Sequence, residues 1–394
     1  MLILTLMPTL AVLLCLSCLC CFVVEAAPVA NARKARILVC GGGAAGYFAA
    51  IECARSLAES NQDYSIEILE AGREPLSKVL ISGGGRCNVM HDPTKELGVV
   101  VKNYPRGERQ LKGPLTSSFS PMDTFNWFST KGVKLKTEND GRVFPTTDKS
   151  ETIVNVLRSE ADRHSVGIKI GAKVTGLAFS QVGDDRSEAF EVSFSKGGES
   201  HKQVCDRVIM ATGSNPVGHR MMAELGHKIE SPLPSLFSFK IADPALRELS
   251  GVSTQLARVQ LVLSKAFIKS AEGKALGLQR PHAVDSLTQQ GPLLITHQGL
   301  SGPAILRVSA FGARVLAAFK YDFHIDINWL PHLTTELALQ LLLEEKRLGA
   351  AKTLGRYVDQ DRIGVSLVFR GLLLCSVGIF CLWSGALDIF DILL

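Results

Sequence analysis

The feature that most constrains this chain is a short apolar run that leads directly into a Gly-rich turn and then a helix-forming segment. Ala35–Val39 is apolar and partly β-branched, Gly41-x-Gly43-x-x-Gly46 comes next, and Tyr47–Leu57 is rich in helix formers. This order predicts a strand, a tight turn and a helix. It therefore predicts the opening half of a βαβ unit.

The glycine spacing is that of a turn which binds a dinucleotide pyrophosphate. Gly41 permits the tight turn, Gly43 lets the pyrophosphate approach the backbone, and Gly46 lets the helix pack on the strand. The N-terminus of the helix then presents unpaired N–H groups and the positive end of its dipole to the anion. A Gly-rich turn with a purely structural role is the alternative interpretation.

An acidic residue ends the second expected strand. Ser65–Leu69 is an apolar strand pattern followed by Glu70, which predicts parallel pairing with the first strand. A carboxylate at this place can accept both ribose hydroxyls and disfavours a 2′-phosphate, so FAD or NAD fits better than NADP. The alternative is a solvated glutamate at the end of a strand.

Two further Gly-rich stretches follow. Three glycines at 83–85, including Gly84 and Gly85, precede Arg86 and Asn88 directly, and we expect a loop whose N–H groups face an anion or a flavin edge. Arg86 would supply charge and Asn88 a directed amide, whereas a structural turn is the alternative. A third signal, Thr212-Gly213 after the apolar run Arg207–Ala211, predicts a close approach to the cofactor.

The pattern changes near residue 232, where several prolines occur. A chain of 394 residues with 46% hydrophobic residues can form more than one domain. We expect a first domain over 33–231 and a second over 232–350. Further helices are expected at 122–131, 149–163, 303–319 and 333–347, and strands at 167–170, 190–195, 207–211, 236–241, 257–263 and 292–296.

Both ends of the chain are apolar. Residues 1–32 begin with an uncharged run, for which a cleaved signal peptide and a membrane anchor are both open; an organellar transit peptide fits less well. Residues 351–394 form an atypical apolar tail that is either a membrane attachment, a buried terminal element or a non-native ending. The compartment stays undecided between membrane or secretory pathway and an organelle.

Charge and cysteine usage exclude some classes of partner. The net charge is only +5, and no run of basic residues forms a stripe for nucleic acid. The ten cysteines show neither a disulfide framework nor zinc-ligand spacing in the globular part, so we expect no metal. Cys87 is a candidate redox thiol, with a small packed residue as the stronger interpretation.

Together these stretches, with Gly141–Pro145, Asp148, Lys149 and the run Thr296–Pro303, resemble the bacterial and plant HI0933-like (BaiN/YhiN-type) family of FAD/NAD(P)-binding oxidoreductases. The resemblance implies an α/β fold, in which a Rossmann-type FAD-binding domain carries an inserted mixed α+β, β-rich second domain. It also implies FAD contacts by a set of residues that match the family motifs: Gly41, Gly43, Ala44, Ala45, Gly46, Glu70, Lys78, Gly84, Gly85, Arg86, Asn88 and Val174.

The leading hypothesis is an FAD-dependent oxidoreductase that passes electrons from NAD(P)H through the flavin to an unidentified organic small molecule. No acid–base pair stands out, and His297 and Ser301 fit a structural turn better than proton transfer. The family's Gly-rich return segment is not recognisable after Gly364. The alternative is therefore a truncated, membrane-attached relative without activity. An RNA-modifying flavoprotein would require a basic patch that the sequence does not show.

Overall fold

We describe the protein from a computed structural model. The structure describes residues 22–25, 34–104, 106–182, 187–241, 246, 249–334, 336–338, 340 and 344. The expected tail 351–394, nearly all of the leader and most of the expected helix at 333–347 lie outside these residues. The chain divides into two compact units, with the boundary between Glu230 and Ser231. Within the described part of the chain, no helix combines the length and apolarity needed to cross a membrane.

The first unit is built on a five-stranded sheet with the order β1-β11-β2-β3-β7. Strands β2, β3, β7 and β11 run parallel and β1 pairs antiparallel with β11. The strands of this unit are β1 (Phe22–Glu25), β2 (Ala35–Cys40), β3 (Tyr64–Glu70), β4 (Met90–His91), β5 (Leu135–Thr137), β6 (Arg142–Pro145), β7 (Gly167–Ile170), β8 (Lys173–Val182), β9 (Ser187–Lys196), β10 (Glu199–Cys205) and β11 (Arg207–Met210). The expected parallel pairing of β2 with β3 is confirmed.

Helices of this unit pack on both faces of the sheet, most of them on one face. The helices are α1 (Ala44–Glu59), α2 (Ser77–Gly85), α3 (Leu97–Val101), α4 (Glu108–Ser117), α5 (Pro121–Thr130), α6 (Ser150–Arg163) and α7 (Pro216–Glu224). Successive residues of β2 point to opposite faces, so Ile37 and Val39 pack with α1 and α6. Leu38 and Cys40 pack on the other side with the antiparallel sheet β10-β9-β8 and with α7. Burial on both faces explains why β2 reads as a continuous apolar run.

The stretch from Lys78 to Asn88, expected to be a loop, begins as a helix. Helix α2 buries Val79, and Ser150 Oγ donates to the carbonyl oxygen of Leu80 at 2.6 Å. The helix kinks where Ser82, Gly83 and Gly84 leave helical φ/ψ values. The expectation of a loop was wrong for Lys78–Ile81, where packing of Val79 stabilises a helix, but Gly83–Gly85 do leave the helical conformation, as expected for a Gly-rich turn.

The second unit holds a five-stranded antiparallel sheet with the order β12-β15-β14-β13-β16. Its elements are β12 (Phe239–Lys240), β13 (Ser253–Leu261), α8 (Lys265–Lys269), α9 (Ala271–Ala275), α10 (Pro281–Asp285), β14 (Thr288–Thr296), β15 (Gly299–Ser301), α11 (Pro303–Phe311), α12 (Ala313–Ala318) and β16 (Ile325–Asn328). The expected helix at 303–319 is divided at Gly312. The expected strand at 236–241 shrinks to β12, since Leu236 has a left-handed φ of 55°.

Candidate functional site

The turn between β2 and α1 is closed by glycines that have no space for a side chain. Gly41 has a φ of 116°, and a Cβ there would overlap the carbonyl oxygen of Ala211. A Cβ on Gly46 would overlap the carbonyl oxygen of Gly41. These contacts bring α1 directly against β2 and place the end of β11 beside the turn, as a dinucleotide-binding turn requires.

Gly43 differs from its neighbours because it faces open space. A Cβ added there would meet no atom within 4 Å, and φ is an ordinary −84°. Gly43 is the N-cap of α1, and neither a side-chain cap nor an acidic residue in the first turn, which includes Ala44 and Ala45, satisfies the N–H groups. Unpaired N–H groups at a helix N-terminus favour an anion.

Glu70 lies against this turn through hydrogen bonds to the backbone. Its Oε2 accepts from the N–H of Gly42 at 2.7 Å, and its Oε1 accepts from the N–H of Gly72 at 2.5 Å. An ionised carboxylate has about four lone-pair sites, so about two stay available. Sequence reasoning identified Glu70 but missed both backbone donors, which carry no side-chain signal.

Val174 reaches the same region through the start of β8. The N–H of Ala172 donates to the carbonyl oxygen of Glu70 at 2.8 Å, which places β8 beside the end of β3. Val174 itself is half-buried, pairs with Phe194 and lies where the β8–β9 register shifts. A register shift bends the strand locally and frees backbone groups from the ladder.

The start of α2 is joined to the turn by a backbone bond, from the N–H of Leu76 to the carbonyl oxygen of Gly42 at 2.8 Å. Beyond the kink, Gly84 and Gly85 have φ values of 69° and 81°, and a Cβ on either would meet no atom within 4 Å. Their outer face is therefore open to a ligand. Lys78 is exposed on the first turn of α2.

Asn88 presents a buried acceptor without a donor. Its Oδ1 is shielded from solvent and has no hydrogen-bond partner among the described residues. An unsatisfied buried polar atom costs about 1–3 kcal/mol, so a ligand N–H at this place would remove a penalty.

Thr212 and Gly213 follow β11 and complete the third Gly-rich stretch. The Cα of Thr212 would lie 3.3 Å from a Cβ on Gly41, and its side chain fills the space in front of Gly218. Gly213 has a φ of 60° and open space around it. The first and third Gly-rich stretches thus lie at the carboxyl ends of β2 and β11, where ligands bind in open parallel sheets, and the helix that carries the second stretch starts beside the same turn.

Arg86 is already paired. Its guanidinium donates to Asp148 Oδ1 at 2.9 and 2.6 Å and to Glu138 Oε1 at 2.5 Å, and its Cζ lies 4.0 Å from the Phe144 ring centroid. Hydrogen bonds to Glu138 and then to Asp148 raise the pKa of Arg86. Hydrogen bonds from Lys136 and then from Arg86 lower the pKa of Asp148. Sequence reasoning missed Glu138 as a partner.

The thiols are poorly suited to redox chemistry. Burial raises the pKa of the Cys87 thiol, with a smaller opposing effect from a hydrogen bond to Ser82, and burial raises the pKa of Cys40 to about 12. A thiol held neutral is a weak nucleophile.

The described residues contain no cluster of metal-ligating side chains. In the second unit, His297 is exposed in the β14–β15 turn, and Ser301 Oγ bonds Ser238 Oγ at 2.7 Å.

Comparison with known proteins gives related sequences. The chain is 25% identical over 304 residues to a 3-dehydro-bile acid delta(4,6)-reductase of Clostridium scindens, covering 76% of this chain and 65% of the relative. It is 25% identical over 309 residues to a ribosomal RNA dihydrouridine synthase of Haemophilus influenzae, with the same two coverages of 76% and 65%. The chain thus matches less than two thirds of the length of these curated relatives.

Among solved structures, a 3-ketosteroid-delta4-(5alpha)-dehydrogenase from Rhodococcus jostii matches in part, with a TM-score of 0.35 and 13% identity, covering 59% of this chain and 62% of that one. The family profile described as the HI0933-like protein Rossmann domain matches residues 35–357. That match spans most of the chain. It includes the turn between β2 and α1, Glu70, and the second and third Gly-rich stretches. The chain belongs to the HI0933-like Rossmann-domain family.

Proposed function

We propose that the protein is an FAD-dependent oxidoreductase. The observation that carries the proposal is the open face of Gly43 at the uncapped N-terminus of α1, with Glu70 bonded to the same turn. The inactive alternative is not favoured, because the turn keeps the contacts a dinucleotide site needs.

Each part of the site has a role in holding the cofactor. The first turn of α1 binds the pyrophosphate, and Glu70 accepts the ribose hydroxyls with its remaining lone pairs. Asn88 Oδ1 accepts an N–H from the cofactor, and the open faces of Gly84 and Gly85 allow close approach of the backbone. Bound FAD supplies two-electron redox chemistry, while the chain orients and shields it.

The proposed substrate is a small organic molecule with a carbon–carbon double bond conjugated to a carbonyl, and NAD(P)H is the proposed electron donor. One relative is named as a delta(4,6)-reductase of a 3-dehydro-bile acid and the other as a synthase of dihydrouridine in ribosomal RNA, and both names fit the reduction of a carbon–carbon double bond. Because the two relatives act on different substrates, we infer only the type of reaction for this protein and not either substrate.

A matched pair of variants tests FAD binding. Gly43→Ala adds a methyl group at the N-cap of α1, where no atom outside the adjoining residues lies within 4 Å, and Gly98→Ala adds one in α3, where the nearest such atom is in the flexible Glu96 side chain at 3.7 Å. We expect Gly43→Ala and Gly98→Ala both to keep the far-UV circular dichroism of the wild type, and only Gly43→Ala to lose the flavin absorbance after reconstitution. Wild-type protein that stays colourless with excess FAD would contradict the proposal.

The substrate class is tested by reoxidation. Full-length protein reduced by NADH or NADPH is mixed with a cyclic enone, with uridine-containing RNA or with buffer. Faster flavin reoxidation by the enone, without oxygen, supports the proposed class. Reoxidation by RNA alone would show that the substrate is nucleic acid.

A further inference from the structure

We infer that Arg86 is a positioning residue, which holds the left-handed turn Gly83–Gly85 in the conformation that receives the cofactor and does not itself neutralise a phosphate. The inference rests on the proposed function, since it assigns the turn to the FAD site. It differs from what the sequence suggested, where Arg86 was expected to bring its charge to the ligand.

The turn needs an external anchor. Gly83, Gly84 and Gly85 have φ values of 56°, 69° and 81°, and Cys87 has a φ of 57°. Consecutive glycines lose more conformational entropy on ordering than other residues, and a left-handed cysteine is strained. Two backbone bonds that close the turn from inside run from the N–H groups of Arg86 and Cys87 to the carbonyl oxygen of Ser82.

The Arg86 side chain provides that anchor on the β6 side. Its guanidinium bonds Asp148 and Glu138 and lies 4.0 Å from the Phe144 ring centroid. The same ring also packs against Gly83. A Cβ on Gly83 would lie 3.1 Å from Phe144 Cε1 and 2.7 Å from the backbone nitrogen of Asn88, so there is no space for a side chain at this position. Arg86 and Gly83 therefore fix the turn against one aromatic ring.

The charge of the cluster argues against a direct role in anion binding. Asp148 also bonds Lys136, and Glu138 and Asp140 both bond Arg142. The members are three cations, Arg86, Lys136 and Arg142, and three anions, Glu138, Asp140 and Asp148. A balanced cluster exerts little attraction on a distant phosphate.

The test replaces the planar fork while keeping the charge. Arg86→Lys retains one positive charge but cannot bond both carboxylates in the same plane. Arg142→Lys is the matched control, since it makes the same change in the same cluster, 5.3 Å from the same ring, but on β6. Asp148→Asn keeps an oxygen acceptor but removes the negative charge that pairs with Arg86. The readouts on full-length protein are FAD affinity, the visible spectrum of the bound flavin, and hydrogen exchange of the Arg86 and Cys87 amides without FAD.

For Arg86→Lys and for Asp148→Asn we expect FAD binding weakened about tenfold or more, corresponding to the loss of charge-assisted hydrogen bonds. We also expect faster amide exchange at residues 86 and 87 and an altered flavin band in the fraction still bound, with none of these changes in Arg142→Lys. Wild-type affinity and exchange in Arg86→Lys would overturn the inference. If the wild type binds no FAD, the proposed function fails, and amide exchange alone then decides whether Arg86 anchors the turn.

Discussion

At the scale of single residues, the glycines of one turn have different physical tasks. Gly46→Ala places a Cβ onto the carbonyl oxygen of Gly41, and backbone cannot move aside as a flexible side chain can. We expect a loss of about 1–3 kcal/mol or more in unfolding free energy, as for overpacked cores. Urea unfolding followed by circular dichroism measures this loss, with Gly98→Ala in α3 as the control. Equal midpoints for the two variants would refute the assigned contact.

Glu70 offers a second test at this scale. Glu70→Gln replaces one carboxylate oxygen by a donor, which must then face the N–H of Gly42 or of Gly72. We expect a loss of about 1–3 kcal/mol in unfolding free energy and weaker FAD binding. Glu67→Gln is the control on the same strand, where the half-exposed bond to Lys169 is worth about 0–1 kcal/mol. Equal effects of the two variants would argue against a special role for Glu70.

At the scale of elements, the small sheet β4-β6-β5 carries a titrating histidine. Burial, followed by the charge of Lys95, lowers the pKa of His91, and its Nδ1 accepts from the N–H of Asp92 at 2.8 Å. Folding therefore favours the neutral ring. Since the unfolded pKa is roughly 6.5, stability from this effect is present above that pH and is lost as pH falls toward the folded pKa.

Unfolding free energies at pH 7.5 and pH 5.5 test this expectation. The wild type should lose more stability on acidification than His91→Gln, whereas His297→Gln, changed in an exposed turn, should behave like the wild type. An NMR titration of the His91 ring gives the folded pKa directly. A ring that titrates at or above its ordinary value would contradict the burial effect.

At the scale of the whole molecule, FAD binding should raise the thermal stability of the full chain. A ligand that binds only the folded state at a hundredfold excess over its Kd adds about 2.7 kcal/mol. We expect Tm to rise with FAD concentration and to change little with FMN, which lacks the adenosine that Glu70 is proposed to hold. Differential scanning calorimetry measures both, and equal shifts with FMN would place recognition on the flavin half alone.

Much of the parallel sheet was predictable from local pattern. The β2–turn–α1–β3 unit was predictable because the apolar strand patterns, the glycine spacing and the acidic residue at the end of β3 all lie within residues 35–70. The helical start of α2 was not predictable from local pattern. Its stability comes from the burial of Val79 in the core and from the hydrogen bond donated by Ser150, which is far along the chain. Likewise, the expected helix at 303–319 is divided at Gly312, where the chain packs against distant side chains: a Cβ there would lie 3.6 Å from Cδ2 of both Leu261 and Leu287.

The sequence by itself determined the class of fold and the identity of the turn, because both depend on residues close together in the chain. Tertiary structure decided which side chains are available at the site. The sequence shows that Arg86 is charged, but only the fold shows that its guanidinium donates hydrogen bonds to Glu138 and Asp148, which lie 52 and 62 positions away. Asn88 is left with a buried acceptor for the same reason, since its partners depend on long-range packing and not on its neighbours in sequence.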